Sequence, residues 1–323
     1  MPQTPTDFAA FRTFSARLGR DPLRVQGPGG NTSLKDGGVL WIKASGTELA
    51  EAEARDIFVP VNHAAALAEA RGQSGDGSCK TTGLDPANPL RPSIETTFHA
   101  ALDWPVVAHT HSIATLAHAV SPAGRAVARD KLAGMGAVLI PYAKPGLPLT
   151  GEILARARPE TRVFVLENHG LIVCGRDVTE TEALMEEVEA QLALTARDTP
   201  LPAPYGSPPD GFDWTAESWI AHDAHAAGYA LAGSYYPDHV VFLGPALPAS
   251  DHPGKPPAVL IEGHGIALRH GATPSHRAML RCLSDLLARL PSDWTPTPIG
   301  AAAEAELLDW DAEKYRQALA ARG

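Results

Sequence analysis

Cysteine is scarce: Cys79, Cys174 and Cys282 are the only three in 323 residues. An odd number of widely spaced thiols supports no disulfide framework and fits a reducing compartment. Basic charge is not in excess either. Lys and Arg number 27 against 37 Asp and Glu, a formal net charge of −10. Such a chain has no basic patch for a phosphate polymer, which excludes nucleic acid as the main partner. A small anion stays within reach, because a few local amides bind phosphate even on an acidic protein. No run approaches the roughly 20 apolar residues that span a bilayer. The N-terminal stretch "MPQTPTDFAAFRTFSARLGR" lacks the apolar core of a signal peptide. These absences point to a cytoplasmic protein with no membrane partner.

What is present is ordinary for a globular chain, with 44% hydrophobic and 20% charged residues. The length exceeds the usual single domain. Phe8, Phe11, Phe14 and Leu18 predict an amphipathic helix over residues 7–20. "GPGGNTS" at 27–33 reads as a glycine-rich turn before the strand "GVLWIKAS", and a second helix is expected over 60–71. Residues 72–91 read as an open loop. Pro92 and Ser93 suit a helix start, and Ile94, Phe98 and Leu102 continue at helical spacing. "VVAHTHSIA", "AVLIPYA" and "RVFVLEN" read as strands, with helices between them, a short one near 151–157, and another over 179–196. Strands alternating with helices predict an α/β layer architecture.

"DTPLPAPYGSPPDG" reads as a linker, which divides the chain into residues 1–200 and a smaller α/β region, 210–323. The smaller region holds an echo. "FVLENHGLIV" at 164–173 matches "VLIEGHGIAL" at 259–268 in character, and His264 follows His169 by 95 positions. The strand–turn–strand–helix unit at 163–195 thus recurs, by duplication or by convergence on a common pattern.

His109 and His111 lie two apart on an apolar strand, so both imidazoles face one side and can share a cation. A catalytic zinc usually takes three protein ligands and keeps a position open. His169, where "RVFVLEN" ends and the chain turns at Gly170, is the best third candidate. His99 and His118 fall on helices and read as packing or surface residues. His63, His222 and His225 have no ligand pattern around them, and His239 with His264 is a weaker second pair without an HxH. Glu95, in the first turn of the helix expected from Ser93, is either a favourable charge at the helix dipole or a proton carrier beside a metal. "GGNTS" at 29–33 and "SGT" at 45–47 are small-residue turns suited to phosphate, and Ser93 adds a hydroxyl.

The order "GGNTS", "SGT", "PSIE", "HTH", "ENHG" resembles the class II aldolase/adducin family over about residues 10–195. "GGNTSLK", "PSIETTFHA" and "YYPDHVVFLGP" look most like the aldolase portion of bifunctional rhamnulose-phosphate aldolase/dehydrogenases, although no GxGxxG turn follows a strand. The resemblance implies a three-layer α/β/α fold with a largely antiparallel central sheet. It implies Zn2+, or another divalent transition metal, on His109, His111 and His169, with Glu95 as acid/base. It also implies a substrate phosphate on Asn31, Thr32, Ser45, Gly46 and Ser93, and a homo-oligomer, a tetramer being favoured. The activity implied is reversible cleavage of a ketose 1-phosphate to dihydroxyacetone phosphate and an aldehyde, through a metal-stabilised enediolate. An epimerase, dehydratase or decarboxylase of the same family would use the same residues. A non-enzymatic adducin-like head would lack the metal histidines.

Two departures stand out. "PSIE" replaces the fuculose-type "PSSE", so Ile94 takes the place of one phosphate-side hydroxyl. The segment after the HxH pair, "SPAGRAVARDKLAG", has no tyrosine, and Tyr142 comes later. The proton donor to the aldehyde fragment is therefore unassigned. The region 210–323 is left with three readings: a lid, an oligomer contact, or a degenerate copy.

Overall fold

The computed structural model describes residues 2–199, 206–249 and 256–320; residues 200–205 of the expected linker lie outside them. Seven strands are β1 (Asn31–Asp36), β2 (Val39–Lys43), β3 (Phe58–Asn62), β4 (Val106–Thr110), β5 (Val138–Ile140), β6 (Val163–Leu166) and β7 (Gly170–Gly175). They form one sheet in the order β3-β2-β1-β4-β7-β6-β5. Every neighbouring pair is antiparallel except β5 with β6.

Alternation along the strands divides the core into two layers. Val106 and Ala108 pack on one face with Phe11 and Phe14 of the helix Phe8–Arg20 and Met185 and Val188 of Val178–Leu192. Val107 and Ile172 pack on the other with Phe98, Leu149 and Ile153. The expected three-layer arrangement with a mostly antiparallel centre is what the chain forms.

Four local expectations are corrected. Residues 60–71 are not one helix: β3 runs to Asn62, whose side chain caps the helix His63–Ala70. Val59 and Val61 are buried at strand spacing and pair with β2, which outweighs the helical propensity around them. The glycine-rich turn at 27–33 ends earlier than expected, because Asn31, Thr32 and Ser33 pair with His109, Ala108 and Val107. The helix expected from Ser93 begins at Thr96. Pro92 bridges Ala44, and the Ser93 N–H donates to the Lys43 carbonyl at 3.0 Å, so this backbone is extended. The short helix near 151–157 spans Leu147–Leu154.

Beyond residue 210, β8 (Phe212–Trp214), β9 (Ala258–Ile261) and β10 (Gly265–Arg269) form a second antiparallel sheet, ordered β8-β10-β9. The two hairpins close on like pairs: Leu166 faces Gly170 in the first and Ile261 faces Gly265 in the second. A helix follows each, Val178–Leu192 and Pro274–Arg289. This part shares a core with Ile113, Leu116 and Val120, which lie just after the HxH pair, through Tyr236, Val240, Met279 and Leu283. The C-terminal residues are thereby packed against the segment that carries the histidines.

Candidate active site

The register brings the candidate groups to one end of the sheet. Asn31 opens β1 opposite His109 near the end of β4, and His109 pairs with Ile172 of β7. His111 lies just past β4, and His169 sits in the turn before β7. That turn needs Asn168 in the left-handed region, φ 52°. The Asn168 side chain then donates to the Tyr235 and Thr297 carbonyls at 3.0 and 2.9 Å. Glycine at 170 allows the strands to close, since a Cβ there would lie 2.2 Å from the Thr110 carbonyl oxygen.

One nitrogen from each of His109, His111 and His169 lies within 4.8 Å of the other two; this is the one such metal-competent group among the described residues. All three rings are buried. The His109 Nδ1 meets the Leu171 carbonyl oxygen at 3.0 Å, leaving Nε2 buried without a partner. Glu95 stands against the group, with Oε2 3.5 Å from His109 Nε2 and Oε1 3.5 Å from His169 Nε2. Three clustered imidazoles, with His109 Nε2 unpartnered beside a carboxylate whose Oε1 is also unpartnered, fit a divalent transition-metal ion.

Charge supports that fit. Burial drives the pKa of His111 and of His169 down to about 3, against the opposing pull of Asp238 and Glu95 respectively. Both rings are then neutral, the form that ligates a metal. Burial also opposes ionisation of Glu95. The imidazoles of His109 and His169, the Asn31 amide and the Arg316 guanidinium outweigh it and hold the carboxyl below its usual range.

The expected anion-binding residues divide. Ser45, Gly46, Ser93 and Asn31 line the cleft beside His111, His169 and Glu95. Ser45 Oγ is buried with no partner. The Asn31 side chain is spent differently from the expectation: Nδ2 donates to Glu95 Oε2 at 2.8 Å, and Oδ1 meets His99 Nε2. Thr32 is not brought to the site. Strand alternation turns it to the opposite face, where its hydroxyl meets Ser15 Oγ at 2.7 Å. Glu95 is at the N-cap position rather than in the first turn, and its carboxylate makes no cap bond.

Several groups at the site carried no local signal. His99 is buried as packing would have it, but its ring joins Asn31 to Ser33, whose Oγ is 2.8 Å from Nδ1. Lys43 Nζ donates to the Pro28 and Gly30 carbonyls at 2.8 and 3.0 Å. Burial, with Arg316 adding to it, pushes its pKa down to about 7. The helix Asp311–Ala320 places Glu313 and Arg316 in the cleft lining and seats Leu319 against Gly46. Asp238, from the helix Pro237–Leu243, binds the Arg316 guanidinium through both oxygens at 2.8 and 3.1 Å. Only "YYPDHVVFLGP" among the motifs touches this set. His239 is buried and His264 is exposed, and the two do not form a second metal group among the described residues. A larger cavity of about 620 Å³ adjoins the cleft, shares Ser45, Ile94 and Pro145 with it, and is also lined by Lys80, Arg91 and Lys144. No helix of the described residues is long and apolar enough to cross a membrane.

Known proteins share parts of this sequence and fold. The family described as "Class II Aldolase and Adducin N-terminal domain" matches residues 15–195, more than half of the chain. The chain is 31% identical over 183 residues to "Uncharacterized oxidoreductase YuxG" of Bacillus subtilis, covering 51% of this chain and 26% of that one. It is 37% identical over 65 residues to "3-oxo-tetronate 4-phosphate decarboxylase" of Escherichia coli K12, covering 20% of this chain and 31% of that one. The matches therefore span about a third or less of these curated relatives' own lengths. Among solved structures, the N-terminal class II aldolase domain of a conserved protein from Thermoplasma acidophilum superposes with a TM-score of 0.52 at 27% identity. That superposition covers 59% of this chain and 94% of the other. With the family match over residues 15–195 and this shared fold, the chain belongs to the class II aldolase and adducin family.

Proposed function

We propose that the chain is a zinc-dependent aldehyde-lyase that reversibly cleaves a ketose, of the ketose 1-phosphate class, to dihydroxyacetone phosphate and an aldehyde. The observation that carries this reading is the buried group of His109, His111 and His169 with the Glu95 carboxylate 3.5 Å away. Three imidazoles suit zinc with an open position. When bound, the ion supplies Lewis-acid polarisation of the substrate carbonyl.

The chain's own residues manage the proton and the anion. The Asn31 amide restrains Glu95 Oε2, and His99 fixes that amide, its Nε2–H donating to Asn31 Oδ1 while its Nδ1 accepts from the Ser33 hydroxyl. Oε1 is left without a partner, so it is the atom that takes or returns the proton on the three-carbon unit. Ser45 Oγ, also unpartnered, offers a hydrogen bond to a phosphate oxygen, with Gly46 and Ser93 beside it. Ile94 offers none. The 620 Å³ cavity beside the cleft has room for the aldehyde fragment. On this reading the partner is a small molecule, the setting is the cytoplasm, and the working form is a homo-oligomer, a tetramer being favoured.

A second reading, decarboxylation of a phosphorylated 3-oxo acid, is favoured by the 37% match to the decarboxylase. The same general base and anion site would serve it. Purified zinc-loaded protein is incubated with dihydroxyacetone phosphate and a panel of aldehydes, and separately with a 3-oxo acid phosphate. Condensation products that vanish in His111→Ala support the aldolase. Carbon dioxide release with no adduct from any aldehyde replaces it by the decarboxylase. Zinc content unchanged in His111→Ala removes that residue from the ligand set.

A further inference from the structure

A histidine ligand is held in its working tautomer by what its second nitrogen meets. For His109 this is a backbone carbonyl, that of Leu171. His111 has no backbone acceptor on its ring. Its Nδ1 faces Asp238 Oδ2 at 3.4 Å, and both side chains are buried. Asp238 is itself immobilised, since both its oxygens receive the fork of Arg316, which also binds Glu313 at 2.9 and 3.1 Å. An independent feature protects the contact. Position 29 is glycine, and a Cβ there would lie 2.8 Å from both His111 Nδ1 and Asp238 Oδ2. Any side chain at 29 would wedge the pair apart.

We propose that Asp238 is the positioning carboxylate that orients His111 as a metal ligand, with Arg316 holding Asp238 in place. The metal centre is then completed by residues beyond the segment that matches the family. This rests on the metal reading given above. Accepting from Nδ1–H fixes the tautomer that leaves Nε2 bare for the ion, and it raises the basicity of that nitrogen.

The dissociation constants of Co2+ and Zn2+ are measured by competition with a chromophoric chelator, and the Co2+ visible absorption spectrum is recorded. The proteins are the wild type, His111→Ala, Asp238→Asn, Asp238→Glu and Gly29→Ala. Loss of an outer-shell carboxylate weakens metal binding about 10- to 100-fold. Asp238→Asn should show that loss with an altered Co2+ spectrum, and Asp238→Glu should recover part of it. Gly29→Ala leaves the Asp238 and Arg316 side chains in the sequence and should still weaken binding in the same direction. It decides the matter if Asp238→Asn does not fold. Binding lost in His111→Ala but within about twofold of wild type in the folded Asp238 and Gly29 variants overturns this inference alone. A wild type that binds neither ion overturns the metal reading, and this inference with it.

Discussion

Gly170→Ala tests how closely the fold and the site are joined. The added Cβ would stand 2.2 Å from the Thr110 carbonyl oxygen and 3.3 Å from His111 Cα, where Cβ contacts under 3.0 Å essentially never occur. The obstacle is backbone in a strand ladder, not a flexible side-chain tip, so β4 and β7 must separate at this end by about 0.8 Å to reach that limit. Overpacking of this kind costs on the order of 2 kcal/mol. A chain of this length unfolds with an entropy of roughly 0.7 kcal/mol/K, so Tm should fall by about 3 °C. The same separation moves His111 away from His169, which flank the new methyl group. Calorimetry reads the first effect and chelator competition the second, where a weakening of tenfold or more is expected. A Tm within about 1 °C of wild type, with unchanged metal affinity, would refute the claim that close strand approach at Gly170 sets the histidine spacing.

Other changes separate the roles of neighbouring groups. Glu95→Gln should keep the Asn31 contact and bind metal, yet lose about 10²- to 10⁴-fold in kcat as the proton carrier is removed; equal turnover would remove Glu95 from proton transfer. Ser45→Ala should leave Tm unchanged or slightly raised, because a buried hydroxyl without a partner is lost. It should weaken binding of inorganic phosphate, measured by calorimetric titration. Burial raises the Glu313 carboxyl to about 7, against the pull of Arg316. The folded chain then binds the proton more tightly than the unfolded one, so this group's contribution to stability is full below the ordinary carboxylate pKa and falls as pH rises toward 7. Thermal melts between pH 4.5 and 7 should therefore show a flatter profile for Glu313→Gln than for wild type.

Much of this protein was legible along the chain because the signals are local. Two residues of spacing put His109 and His111 on one side of a strand, and the "HG" turn marked His169. The ordered motifs carried the family and the three-layer fold. Boundaries were less legible where pairing overrode propensity, as at β3, or where Pro92 and Ser93 were stapled to β2 and delayed a helix. Strand alternation turns Thr32 away from the site, but which face is the site face follows only from the register of β1 against β4.

Tertiary structure decided the rest, because it depends on which distant segments meet. No spacing reveals that the Asn31 side chain restrains Glu95, or that His99 restrains Asn31. Nor does any motif announce that Asp238 and Arg316, from two C-terminal helices, end against His111. Sequence sets the period of each strand and helix through short-range sterics. Long-range packing, through the shared core around Ile113 and Leu116, chooses the partners that stand around the histidines.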